Sequence, residues 1–208
     1  AARRFCQVLS TDYVDTLLAQ SKRRADAEGL AVQYQIADAE ALPFADNSFD
    51  NVMSTFGVMF TPNQQQSAAE LLRVCKSNGK IGLANWTPEG FIGQLFKLIG
   101  SYVAPPAGLQ SPARWGTRAF IDAQFEQQAA QITYRSREFN FRYRSPQHWV
   151  ELFRTYYGPV HKAFAALNAE HAMQLEQDII ALIGRFNRAD DGSMVVPSEY
   201  LEIVVQKR

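Results

Sequence analysis

Apolar and polar positions follow two different periods in the first half of the chain. Cys6-Gln7-Val8-Leu9-Ser10 reads as a short buried strand. Asp12 follows it, then a helical pattern from Val14 to Glu28, stopped by Gly29. Val32-Gln33-Tyr34-Gln35-Ile36 alternates as a strand does, and Phe49–Thr55 predicts another strand. From Gln65 to Lys76, the residues Ala68, Leu71, Leu72 and Cys75 fall on one helical face. Ser77-Asn78-Gly79-Lys80 has the composition of a turn, and Ile81–Trp86 predicts a strand. Strands and helices in this alternation predict an α/β fold, a mostly parallel sheet flanked by helices.

The second half has another character. Phe91–Val103 is helical and apolar around much of its circumference, which suits a lid or a dimer face. Ala104–Pro112 carries three prolines and a glycine and predicts a loop. In Ile132–Tyr143 the apolar phase moves from even positions (Ile132, Tyr134) to odd ones (Phe139, Phe141, Tyr143), which predicts a bulge or bend. Helices are expected at Pro146–Tyr157 and Ala169–Asn187, the second with Ala172, Leu175, Ile179, Leu182 and Phe186 along one side. Tyr200–Val205 predicts a last, antiparallel strand. There is no internal repeat.

Composition narrows the function classes. The 208 residues suit one domain, two at most. Lys+Arg and Asp+Glu both number 21, which argues against nucleic-acid binding through a broad basic face. Two cysteines, Cys6 and Cys75, exclude a disulfide scaffold and a four-cysteine zinc site, and three histidines leave little for any metal centre. No apolar run approaches the roughly 20 residues of a membrane span. The opening Ala1-Ala2-Arg3-Arg4 has no apolar leader character and resembles the tail of a helix. These features lead to the expectation of a cytoplasmic globular protein.

Two acids stand where ligands bind in sheets of this kind. Asp12 follows a strand and precedes a helix; its carboxylate suits a ribose diol, or else caps the helix. Asp38, after the next strand, suits an exocyclic amine, or else is a solvated loop acid. Three segments then occur in order: Asp38-Ala-Glu-Ala-Leu-Pro-Phe44, Asn47-Ser-Phe-Asp-Asn-Val52, and Leu72-Arg-Val-Cys-Lys-Ser-Asn-Gly-Lys80. Together they resemble the class I S-adenosylmethionine (SAM) methyltransferases, in the branch similar to the ubiquinone/menaquinone-biosynthesis enzymes, from about Val8 to Trp86.

The resemblance implies a Rossmann-like domain over residues 1–208, with 1–90 as a cofactor-side half and 91–208 as a helical substrate-side region. It assigns Asp12 to the SAM ribose, Asp38 to the adenine amine and Ala39 to the ring through its backbone. Ser54, Thr55 and Phe56 fall beside the methionine part, and Leu42-Pro43-Phe44 fixes the loop. The family's glycine-rich Asp/Glu-x-Gly-x-Gly-x-Gly segment occurs nowhere in the chain, and its Lys-Pro-Gly-Gly turn reads Lys76-Ser77-Asn78-Gly79. Asn78 tolerates the positive φ such a turn requires. The simplest account of the missing segment is that the sequence opens inside the helix after the family's first strand.

Among the aromatic residues, Trp86, Trp115, Tyr156 and Tyr157 are candidates to line an acceptor pocket, where rings also attract a sulfonium methyl. Trp149 has core spacing with Leu152, Phe153 and Tyr156, and His148 and His161 read as surface histidines. The resulting expectation is methyl transfer from SAM to a small-molecule acceptor, without metal or nucleic acid and with no catalytic base in evidence. A homodimer is compatible with it. Two rivals stand beside it: a non-catalytic binding module, and a nicotinamide-dependent oxidoreductase.

Overall fold

The computed structural model describes residues 1–208 as an α/β structure. The strands are β1 (Leu9–Asp12), β2 (Gln33–Ile36), β3 (Phe49–Thr55), β4 (Cys75–Trp86), β5 (Ala129–Tyr143) and β6 (Met194–Lys207). The helices are α1 (Asp15–Ala27), α2 (Gln64–Val74), α3 (Phe91–Tyr102), α4 (Arg118–Phe125), α5 (Pro146–Tyr156), α6 (Gly158–Ala166) and α7 (Ala169–Phe186). Short 3-10 turns at Val58–Phe60 and Pro112–Gly116 matter below.

The sheet is in two parts. β1 and β2 pair in parallel, joined by the crossover helix α1. The second part has the order β3-β4-β6-β5, parallel between β3 and β4 and antiparallel thereafter. No strand pairing joins the parts, so β1 and β3 each keep one open edge, and Met53 on β3 is 68% exposed. Both antiparallel pairs belong to the last strand: β6 alone runs against β3, β4 and β5, as the sequence predicts.

Register decides what each face carries. Ile81, Leu83 and Asn85 on β4 share a face with Leu201, Ile203 and Val205 of β6, by pairing and by alternation. This face is covered by α2, α4 and the Pro112–Gly116 turn. Trp86, Tyr200, Val196 and Phe141 lie on the opposite face, covered by α3, α5 and α7.

The phase switch in β5 is not a bulge. Its register against β6 runs unbroken from Gln131 to Tyr143, and the sole shift lies between Ala129 and Gln131. What changes is the covering layer. Near Tyr134 the even face packs toward α4, where the Tyr134 hydroxyl meets Asp122; near Phe141 the odd face packs toward α3 and α5. The β5–β6 ribbon continues past the last β4 pair (Trp86 with Tyr200) through six more pairs, Glu138–Glu199 to Tyr143–Met194, roughly 20 Å. Pro197 sits on this stretch, where β5 alone flanks the strand and the missing N–H breaks no central ladder. The helices α3, α5 and α7 pack on this projection, forming a cap beside the carboxyl ends of β3 and β4.

Several boundaries differ from the sequence reading. The first strand lies three residues later than expected, and β6 begins six residues earlier. Helices α4 and α6 were not foreseen: α4 is one short run of Phe120, Ile121 and Phe125, and α6 opens with Gly158-Pro159, a pair that reads as a break. Pro159 instead occupies the first turn of α6, where its missing N–H has no helical partner to lose. The helix expected as a lid or dimer face, α3, buries Phe91, Ile92 and Leu95 within its own chain against α7 and β6. No helix is long and apolar enough to cross a membrane.

Candidate active site

The site is built on the carboxyl ends of the parallel strands. Asp12 ends β1 in register with Ile36, and the Ala37 N–H donates to the Asp12 carbonyl (3.1 Å), tying the two strand ends together. The Asp12 Oδ1 accepts from the Val14 N–H at 2.9 Å. This is a local turn contact; the N-cap of α1 is Val14, which offers no side-chain cap. Asp38 repeats the device: its Oδ1 accepts from the Glu40 N–H at 2.8 Å. Each acid thus has one oxygen held by backbone and a second with no protein partner.

The loop that carries Asp38 and Ala39 is clamped from α2. The Glu70 carboxylate accepts from the Leu42 N–H (2.7 Å). Arg73 donates to the carbonyls of Leu42 (2.9 Å) and Phe44 (2.6 Å), to Asp46 (2.9 Å) and to Glu70 (2.7 Å). Those Arg73 hydrogen bonds, helped by the Leu42 N–H, hold the Glu70 carboxyl below its ordinary range against the opposing effect of burial. Glu40 Oε1 also accepts from the Asn63 N–H (2.6 Å), just before α2. The loop after β2 is therefore fixed to the segment that follows β3.

At the end of β3, Ser54 Oγ accepts from the Val58 N–H (3.0 Å), which orders the turn into Val58–Phe60. Thr55 is exposed. Phe56 has φ 59°, a left-handed conformation that a non-glycine residue adopts at a cost. Its ring lies flat on Trp86 (centroids 4.0 Å, planes 14° apart), and Tyr200 meets both edge-on. Trp86 continues into the cap through Phe139 and Phe141 to Phe91, Trp149 and Phe153.

The four aromatic candidates part company. Trp86 borders the end of β3, and Tyr157 follows Phe153 on the cap's inner stripe (5.0 Å) with a buried hydroxyl that has no partner; burial pushes its ionisation well up. Tyr156 is 81% exposed and does not belong to the site, because it falls on the outer face of α5. Trp115 is fully enclosed under the opposite face of the sheet, against Phe120 and Phe125, so it does not share a wall with Trp86. Trp149 is core, stacked on Phe153. A groove of about 590 Å³ lies elsewhere: between Ala1–Arg3, α1 and the β1–β2 pair, lined by Leu17, Arg24 and Tyr34. It is open and away from the strand ends, and the chemistry of its lining does not match the acids and rings above.

Comparison with known proteins now bears on this arrangement. Residues 1–83 match the model of a methyltransferase domain family. The uncharacterized protein Rv1405c of Mycobacterium tuberculosis is 38% identical over 212 residues, covering all of this chain and 76% of that protein. The chain belongs to the class I SAM-dependent methyltransferases. A demethylmenaquinone methyltransferase of Thermus thermophilus is 30% identical over 122 residues, 58% of this chain and 56% of the relative. Among solved structures, the YcgJ protein of Bacillus subtilis shares the fold with a TM-score of 0.56 at 19% identity, over 97% of this chain and 82% of that one. Neither the non-catalytic module nor the nicotinamide enzyme is favoured by these matches.

One residue of this methyltransferase escaped the sequence reading. Asn85 is fully buried at the end of β4, one position beyond the last β3–β4 pair, Thr55–Ala84. The signal was present: a polar residue in the buried phase of Ile81, Leu83 and Asn85.

Proposed function

We propose that this methyltransferase binds SAM along the carboxyl ends of β1, β2 and β3 and methylates a small-molecule acceptor between those loops and the aromatic cap. The observation that carries the reading is the pair of acids. Asp12 ends β1, Asp38 stands two residues beyond the end of the adjacent parallel strand β2, and each has one oxygen held by backbone and one oxygen unengaged. In this arrangement Asp12 accepts from the ribose hydroxyls and Asp38 from the adenine amine, while the Ala39 backbone borders the ring. Ser54, Thr55 and Phe56 border the methionine side, and Trp86 and Tyr157 border the acceptor. Bound SAM supplies a methyl group already activated by its sulfonium.

The chain's own share is positioning. The Glu70–Arg73 clamp fixes the adenine-side loop, and the Phe56–Trp86 stack gives a rigid floor beside the reacting centre. Holding two reactants in line is a large fraction of what such a displacement needs, so no strong base is required of the protein.

Calorimetric titration with S-adenosylhomocysteine tests the reading. Asp12→Ala is expected to weaken binding by about 10–100-fold, the loss of charge-assisted hydrogen bonds to a diol. Asp38→Ala is expected to weaken it by about tenfold. Wild-type affinity in both variants overturns the assignment.

A further inference from the structure

β5 is the last strand of its sheet, and no strand pairs with its outer edge. From Gln131 to Tyr143 its backbone is hydrogen-bonded to β6 alone. The outward N–H and C=O groups are therefore free along a strand long enough to template another. This edge lies at the far side of the order β3-β4-β6-β5, away from the proposed cofactor loops.

The two faces of the β5–β6 projection carry different information. Arg137, Phe139, Phe141 and Tyr143 lie on the cap face by alternation, and Glu138, Asn140 and Arg142 on the other. Cover on the cap face is unequal. Phe141 is 8% exposed beneath Phe91 and Phe153, and Tyr143 is half-buried against Phe153 and His148. Phe139 is 51% exposed and Arg137 is exposed. The chain's own helices thus cover residues 141–143 and leave 137–139 bare. On the other face Glu138 and Arg142 are both exposed and opposite in sign. Arg142 pairs with no acid of its own chain, and Glu138 meets only Arg188, at 3.3 Å.

We propose that the outer edge of β5 pairs with the same edge of a second copy of this chain, antiparallel about a two-fold axis at Asn140. In that register Glu138 faces the partner's Arg142, Phe139 faces the partner's Phe141, and each of these pairs occurs twice. Opposite charges set directly across a strand pair stabilise it, and like charges destabilise it. Shape agrees with charge. A two-fold axis normal to the sheet keeps both caps on one side, so the caps must be offset to fit. Centring on Asn140 sets the covered residues 141–143 of each copy beside the bare residues 137–139 of the other. The Asn140 side chain, which both donates and accepts, meets its own copy on the axis. Neighbouring registers fail. Centres at Arg137 or Glu138 put like charges together, a centre at Phe139 leaves Glu138 opposite an asparagine, and a centre at Phe141 sets both covered segments side by side.

Sedimentation velocity on the full 208-residue chain, across micromolar concentrations, is expected to show a dimer of twice 23.4 kDa. Glu138→Arg and Arg142→Glu are each expected to weaken it by at least about tenfold, and the double exchange to restore it to within about threefold. A merely structural role for either side chain would give no such rescue. In a Cys6→Ser background, Asn140→Cys is expected to form a covalent dimer on mild oxidation, since residues on the axis stand within disulfide reach, and Thr133→Cys to form none. The cross-link decides even where a charge reversal unfolds the chain. A monomer at every concentration overturns the proposal. So does a dimer that neither reversal weakens, a double exchange that restores nothing, or the absence of a cross-link at position 140; a dimer with any of these results uses another face.

Discussion

A carboxylate at a strand end can serve the fold or a ligand, and the contacts of Asp12 separate the two. A capping acid would reach the second or third N–H inside α1; Asp12 reaches only Val14, the N-cap residue itself. Both Asp12 and Asp38 were legible in the sequence, because each follows a strand and precedes a change of direction. Asn78 was legible for the same kind of reason: it adopts φ 60° in the four-residue excursion between Cys75 and Lys80. There, Asn78→Val is expected to lower stability by about 1–2 kcal/mol and Asn78→Gly to hold or raise it, measured by urea denaturation. Equal stability of the two variants would contradict a left-handed residue at this position. Phe56 was not legible, since nothing in an aromatic residue announces a positive φ; only the neighbouring Trp86, distant in sequence, gives the conformation its use.

At the scale of elements, the clamp between α2 and the loop of residues 38–46 is the main device. Leu42-Pro43-Phe44 announces a fixed loop, but the residues that fix it, Glu70 and Arg73, lie on a helix about thirty positions away, and helical spacing alone gives them no such role. The folded Glu70 carboxyl titrates below its unfolded value near 4.5. Its contribution to stability is therefore complete above that value and is lost as pH falls through the folded value. Urea midpoints taken between about pH 6 and 3 are expected to fall for the wild type and to fall less steeply for Glu70→Gln. Identical slopes would remove Glu70 from the clamp. The β5 strand teaches a related lesson. Its apolar phase reports which layer covers each end, α4 or α3 with α5, and a period of two cannot distinguish that from a bulge.

For the whole molecule, the core of buried apolar residues runs through β4, β5, β6 and their helices, while the β1–α1–β2 unit buries only Leu18, Ala25 and Ala37 of its own. The half of the site that holds the proposed nucleoside acids is thus attached chiefly by loop contacts such as Glu40 to Asn63 and Leu42 to Glu70. The sequence announced the alternation of strands and helices in this half, since that pattern is local. It could not announce the division of the sheet or the projecting ribbon that seats the cap, because both depend on pairings between distant segments. The central claim is that one ligand spans the strand ends of both parts. Backbone NMR of the chain titrated with S-adenosylhomocysteine tests it directly. The account predicts amide shifts at Thr11–Val14, at Ala37–Ala41 and at Ser54–Gly57 together, with one affinity. Shifts confined to the groove of Leu17, Arg24 and Tyr34, with the strand ends unmoved, would contradict it.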